Sequence, residues 1–251
     1  MTFDLSPRKI FKFILLSIVV LTIANLMGII VRLFPGHGVF RDLIQLFDFN
    51  SERNIPTLYS SINLMFSAVL LVCIALKHKA MRSSWFPWMG LAAIFCLLSV
   101  DETAQLHERL AEPVQNLLNI SGAFYYVWTL PYILFLGVLF LLYLRFLKQL
   151  PKRTRTLFLL SGALFIFGAI GFEIIGNFQT QADLSQNTLQ YRLLYTCEEF
   201  LEMSSVALFI YALFDYIIAK FGSFSLHIHP SAEQTHKISN LSFRKSDAPL
   251  F

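Results

Sequence analysis

LYSSINLMFSAVLLVCIAL, residues 58–76, runs for 19 residues without a single charged side chain. At a helical rise of about 1.5 Å per residue it covers roughly 28 Å, close to the thickness of a bilayer's hydrocarbon core. Pro56 precedes it, where a first helical turn tolerates a residue with no N–H to donate. Lys77 and Lys79 close it on the other side. The stretch reads as a membrane-spanning helix, and the rest of the chain follows from that reading.

Working outward, five further runs qualify as spans: 14–34, 85–110, 123–147, 156–178 and 193–219. Pro87 again marks a helix start, and Pro131 predicts a kink or a broken first turn in the fourth run. Composition agrees. The chain of 251 residues is 56% hydrophobic and only 14% charged, with a mean hydropathy of +0.60; soluble domains carry about 25% charged residues. Arg8, Lys9 and Lys12 precede the first run as they would in a signal peptide. That run is longer than a signal peptide's apolar region and lacks a small-x-small cleavage site, so it reads as an uncleaved helix. The fold class is therefore all-α, a polytopic transmembrane bundle of six spans over residues 1–220. A polar, mobile cytoplasmic tail over 221–251 follows, with His227 and His229 solvated.

Orientation follows from Lys and Arg. Of the 20 such residues, 15 fall on one side of the six-span layout, and the positive-inside rule puts both termini in the cytoplasm. The expected location is a bacterial plasma membrane. Trp85 and Trp88 at one interface, and Tyr125, Tyr126 and Trp128 at the other, are candidate belt anchors. Basic residues scattered over short loops make no nucleic-acid patch. No Walker loop and no GxGxxG after a strand occurs, and Cys73, Cys96 and Cys197 read as buried small hydrophobes in apolar runs.

Against this background the acidic residues stand out, because an ionisable group inside a membrane is costly and a functional suspect. The third span holds Asp101, Glu102, His107 and Glu108; the fifth holds Glu173; the sixth holds Glu198, Glu199 and Glu202. Asp101 lies roughly 24 Å along an outward-running third span. Glu173 lies at a similar distance along the fifth, and the sixth runs inward with its acids in its first turns. Three stretches thus put carboxylates into one outer layer. On a continuous helix Asp101, Gln105 and Glu108 share one stripe, Glu102 and Arg109 a second, and Glu198, Glu202 and Ser205 share a face of the sixth. With Glu112 the layer counts eight carboxylates against Arg32, Arg109 and Arg192. Crowded carboxylates take up protons or bind a cation.

Three readings stay open: a metal site, a proton or cation pathway, and a structural polar network. For the metal site, hard oxygen donors with an imidazole suit Zn, Mn, Fe or Mg. The candidate ligands are Asp101, Glu102, His107, Glu173, Glu198 and Glu202, with Glu108 and His107 as acid–base groups. The Glu102-x4-His107 spacing departs from the Glu-x-x-His of carboxylate-bridged di-metal bundles. Lesser expectations concern the helices themselves. Asn25 and Asn63 should bond between helices, and Asp215 should snorkel or pair with Lys220. The glycines at 162, 168, 171 and 176 should make the fifth span central.

The segments Asp101-Glu102-x4-His107-Glu108 and Glu198-Glu199-x-x-Glu202 resemble a pattern in uncharacterised bacterial multi-pass membrane proteins. The resemblance implies a shared site and brings no assigned activity. The expected function is a membrane-embedded, metal-dependent enzyme with a carboxylate-rich site near the outer face. It would act on a lipid or another hydrophobic molecule entering from the bilayer. A transporter using the same carboxylates is the rival reading, and a structural or assembly subunit the third.

Overall fold

The computed structural model describes residues 6–34, 40–51, 53–106, 109, 130–172, 175 and 189–222. Among these the chain is all-helical. In order come α1 (Pro7–Val31), a short α2 (Arg41–Gln45), α3 (Ile55–Ala80), α4 (Phe86–Ala104), α5 (Leu130–Gln149), α6 (Lys152–Ile166) and α7 (Leu189–Phe221). The helix begun by α6 continues as a π-helical segment, Phe167–Phe172. Five helices are long and apolar enough to cross a membrane: Pro7–Val31, Ile55–Ala80, Phe86–Ala104, Lys152–Phe172 and Leu189–Phe221. Their outer surfaces are apolar, with Phe13 71% and Phe86 71% exposed. A surface of that kind suits hydrocarbon, and the chain is a multi-pass membrane protein. α5 overlaps the predicted fourth run but is not one of these five; residues 123–129 and those beyond 222 lie outside the described residues.

Local chemistry explains the helix ends. Pro7, Pro56 and Pro87 each sit in a first turn. Asn54 caps α3 by accepting from Thr57 N at 3.1 Å. Its Nδ2 donates to the carbonyls of Asp48 (2.7 Å) and Ser51 (2.6 Å), so one amide closes the loop before α3. Lys77, His78 and Lys79 occupy the last turn of α3, where the helix dipole favours positive charge.

The last helix is the centre of the bundle. Of its most apolar window 61% is buried, against 17% for Lys152–Phe172, so the fifth predicted span is peripheral. Its glycines differ: a Cβ at Gly162 would meet nothing within 4 Å, whereas Gly168 packs closely on α7. α1, α3, α6 and the π segment all pack on α7. Ile210, Ala212 and Leu213 are fully buried there, as are Leu71 and Ala75 of α3.

Trp88 gathers the end of the bundle where α3 and α7 finish. Its ring lies 4.7 Å from that of Tyr216 (α7), 5.0 Å from Phe146 (α5), 5.6 Å from His78 (α3) and 6.2 Å from Phe158 (α6). It is buried, so the belt role falls to Trp85 alone at this end, with Lys79 over its ring. Polar bonds join the helices. Asn25 Nδ2 donates to Thr196 Oγ1 (2.8 Å), Tyr59 OH to the Ile14 carbonyl (2.9 Å), and the Ser61 and Ser99 hydroxyls meet at 3.0 Å. Asn63 instead donates to the Tyr59 carbonyl of its own helix. Asp215 pairs with Arg153 of α6 at 3.0 Å rather than with Lys220. Cys96 and Cys197 are exposed on outward faces and Cys73 is half-buried, which corrects their reading as buried residues.

Candidate functional site

α4 stops sooner than its apolar run. Gln105 takes φ 56° and ψ 42°, the left-handed conformation that ends many helices, and its N–H returns to the Asp101 carbonyl at 2.7 Å. The helix is therefore interrupted at Gln105; Glu108, expected on the stripe of Asp101 and Gln105, lies outside the described residues. Glu102 is left two residues from the end of α4, half-buried. α7, by contrast, starts earlier than expected, at Leu189. Glu202 then lies roughly 20 Å from its first residue, well inside the helix rather than in its opening turns.

These two shifts bring Glu102 and Glu202 to one cavity of about 10 Å³, shared with Tyr59, Asn63, Phe165 and Met203. A volume of that size holds about one water or one small ion. α3 contributes the phenol and the amide, α4 and α7 one carboxylate each, and α6 an aromatic wall. Behind Glu202 lies the π-helical segment. A Cβ on Gly168 would come within 2.9 Å of Glu202 Cγ and 3.4 Å of the Glu198 carbonyl oxygen, so only glycine lets the two backbones approach this closely. π-helical turns occur often at functional sites. Here the turn lies directly against the acidic face of α7. On that face Ser205 Oγ donates to the Glu202 carbonyl at 2.6 Å.

The remaining candidates divide in two. Asp101, Glu198 and Glu199 are half-buried on the same two helices but do not line the cavity. His107, Glu108, Glu112 and Glu173 lie outside the described residues. Among the described residues, no group of three or more His, Cys, Asp and Glu side chains is gathered as a metal ion would need. Of the eight acidic candidates, Glu102 and Glu202 are the two among the described residues that line this cavity.

Sequence reasoning missed a second polar centre. Asp48 accepts from Arg32 Nη2 at 2.5 Å, from Asn50 N at 3.1 Å and from Tyr195 OH at 3.3 Å. Arg32, counted as a counter-ion for the acidic layer, belongs to Asp48. The signal was an acid in a short connection facing an arginine at a helix end, which attention to the spans alone passes over.

No curated protein and no solved structure matches the chain. The family model that matches is that of a domain of unknown function (DUF8692); it runs over residues 13–217, most of the length and every described helix core, and the chain belongs to that family.

Proposed function

We propose that this protein is a membrane-embedded, metal-dependent enzyme whose site is built on Glu102 and Glu202, and that it acts on a lipid or another hydrophobic substrate. The observation that carries the reading is one small cavity lined by both Glu102 and Glu202, from different helices, with room for about one ion. Two hard oxygen donors, with the Asn63 side chain beside them, suit a divalent cation such as Zn, Mn, Fe or Mg. His107 and Glu173, on the flanking stretches, are the proposed further ligands, with Asp101 and Glu198 close by; Glu108 is the proposed base. A bound divalent ion would supply Lewis acidity and lower the pKa of a coordinated water. The chain's own part is to hold the carboxylates apart from bulk water, with Tyr59 and Phe165 closing the cavity.

The site belongs near the outer face of a six-span bundle with both termini cytoplasmic, in a bacterial plasma membrane. Supporting this, Lys77 and Lys79, Lys148, Lys152 and Arg153, and Lys220 all sit at the helix ends gathered around Trp88 and the Arg153–Asp215 pair. A cation-relay transporter is the weaker alternative. Below the carboxylates, Ser161 donates to the Phe158 carbonyl, Ser205 to that of Glu202 and Ser67 to that of Asn63. These three hydroxyls donate within their own helices; Ser61 and Ser99 do meet across α3 and α4, but a relay needs such links to continue through the bundle.

The test is bound metal, by elemental analysis, together with melting temperature with and without chelator, for wild type, Glu202→Gln and Glu102→Gln in mild detergent. The metal reading expects a bound ion in the wild type, its loss in both variants, and equal melting temperatures once chelator is present. A metal-free wild type accompanied by more stable Gln variants would instead mean that the two carboxylates merely repel, and the structural reading would replace this one.

A further inference from the structure

A second cavity, of about 320 Å³, opens between the end of α1, the short α2 and the start of α7. Among the described residues its lining is Arg32, Arg41, Ile44, Gln45 and Arg192, three guanidiniums, an amide and one apolar side chain. The volume is at the low end of the range for ligand pockets, about 300–1,000 Å³. We infer that this cavity binds a phosphoryl group or a similar oxyanion, carried by a lipid headgroup or free in solution.

The wall is built rather than incidental. Arg41, Ile44 and Gln45 stand at positions i, i+3 and i+4 and so share one face of α2. That face is fixed against α1 because Gly28 has no side chain: a Cβ there would come within 3.1 Å of Ile44 Cγ2. The chain after α2 is held by Asn54, which also donates to the Gln45 carbonyl at 3.3 Å. Asp48 ties it to Arg32 and, through the Tyr195 hydroxyl, to α7. Three elements are thereby locked with their arginines around one space.

The chemistry of the lining selects the ligand. Asp48 is the carboxylate that Arg32 meets, through one of its two terminal nitrogens, and a guanidinium carries five N–H donors in a planar fork. Guanidinium forks match the paired oxygens of phosphate and bind them bidentately. Guanidiniums gathered around one cavity raise its positive potential and draw in an anion. Gln45 adds neutral donors, and Ile44 an apolar floor that excludes water from one side. The proposal stands apart from the role of Glu102 and Glu202, since none of its residues touches their cavity.

The test is calorimetric titration of the detergent-purified full chain with three probes: inorganic phosphate, dioctanoyl phosphatidylglycerol and, as the uncharged control, dioctanoylglycerol. The expected result is saturable binding of a phosphate-bearing probe, none of the control, and affinity about tenfold lower in Arg41→Gln, the loss of one charge-assisted contact. Arg41 is exposed, so this variant should keep its fold; Arg192→Gln is the second variant. Equal binding of inorganic phosphate and the lipid supports the site with a soluble oxyanion as ligand. Binding of the lipid alone supports it with a headgroup. The proposal is overturned if neither phosphate probe binds, if dioctanoylglycerol binds as well as the lipid, or if Arg41→Gln binds like the wild type.

Discussion

Gly168 and Gly162 separate what a glycine contributes by position. At Gly168 a methyl group would press on Glu202 and on the α7 backbone. Gly168→Ala should therefore destabilise the protein by about 1–3 kcal/mol, as overpacking does, and, if Glu202 holds a metal as proposed, should lower bound metal by displacing that carboxylate. Gly162→Ala meets open space, and should leave the melting temperature unchanged or raise it, since alanine is the better helix former. Melting curves with metal analysis on the two variants check the contrast; equal effects would remove Gly168 from the site. The sequence marked both glycines alike, because spacing along a helix carries no information about which neighbour lies opposite. It marked Glu102 and Glu202 among eight carboxylates, since a carboxylate in an apolar run is visible without any structure. Their partner Tyr59 was not legible: a tyrosine in a membrane run is ordinary until its surroundings are known.

At the scale of the element, apolar length was the readable quantity. The run 58–76 became Ile55–Ala80, extended at both ends by residues whose contribution is capping rather than hydropathy. The end of α4 was not readable, because Gln105 is neither Gly nor Asn and gives no stop signal. Its left-handed backbone costs a non-glycine residue about 1 kcal/mol. Gln105→Gly should accordingly raise stability by up to about 1 kcal/mol, while Gln105→Val should lower it, because a β-branched residue is poorly accommodated at positive φ. Thermal unfolding of both in detergent decides the matter, and the reverse order would mean that α4 continues past Ala104 in solution. The π-helical segment was equally hidden. Phe167–Phe172 reads FGAIGF, which has no apolar period to distinguish five-residue from four-residue hydrogen bonding.

For the whole molecule, the pairing of Arg153 with Asp215 and of His78 Nε2 with Tyr216 OH (2.8 Å) ties the start of α6 and the ends of α3 and α7 together at one end of the bundle. Reporter fusions after Lys79 and after Lys152 should accordingly give the same cytoplasmic signal, and fusions near Ser51 and Ser185 the opposite one. A cytoplasmic signal at Ser51 would invert the topology and carry the Glu102–Glu202 cavity to the inner leaflet. That several helices span was legible, because each needs only length and apolarity. The centrality of α7 was not. Its run, 193–219, carries three glutamates and an aspartate, which reads as poorly suited to lipid, yet a central helix answers to packing partners rather than to lipid.

The unequal lengths of α4 and α7 make the protein sensitive to bilayer thickness. α7 has 33 residues and α4 has 19, or roughly 50 Å and 29 Å, against a hydrocarbon core of about 30 Å. Even at the upper end of observed tilts, about 40°, α7 would exceed that core, so a thicker bilayer still finds helix to cover it. α4 has no such slack. A thicker membrane must thin locally around it or strain its end, and Glu102 lies two residues from that end. Reconstitution into phosphatidylcholines of increasing chain length should weaken metal retention beyond the thickness α4 can match, and lengthening α7 by one turn at Phe221 should not restore it. Retention that is flat across the series would uncouple the carboxylate pair from hydrophobic mismatch.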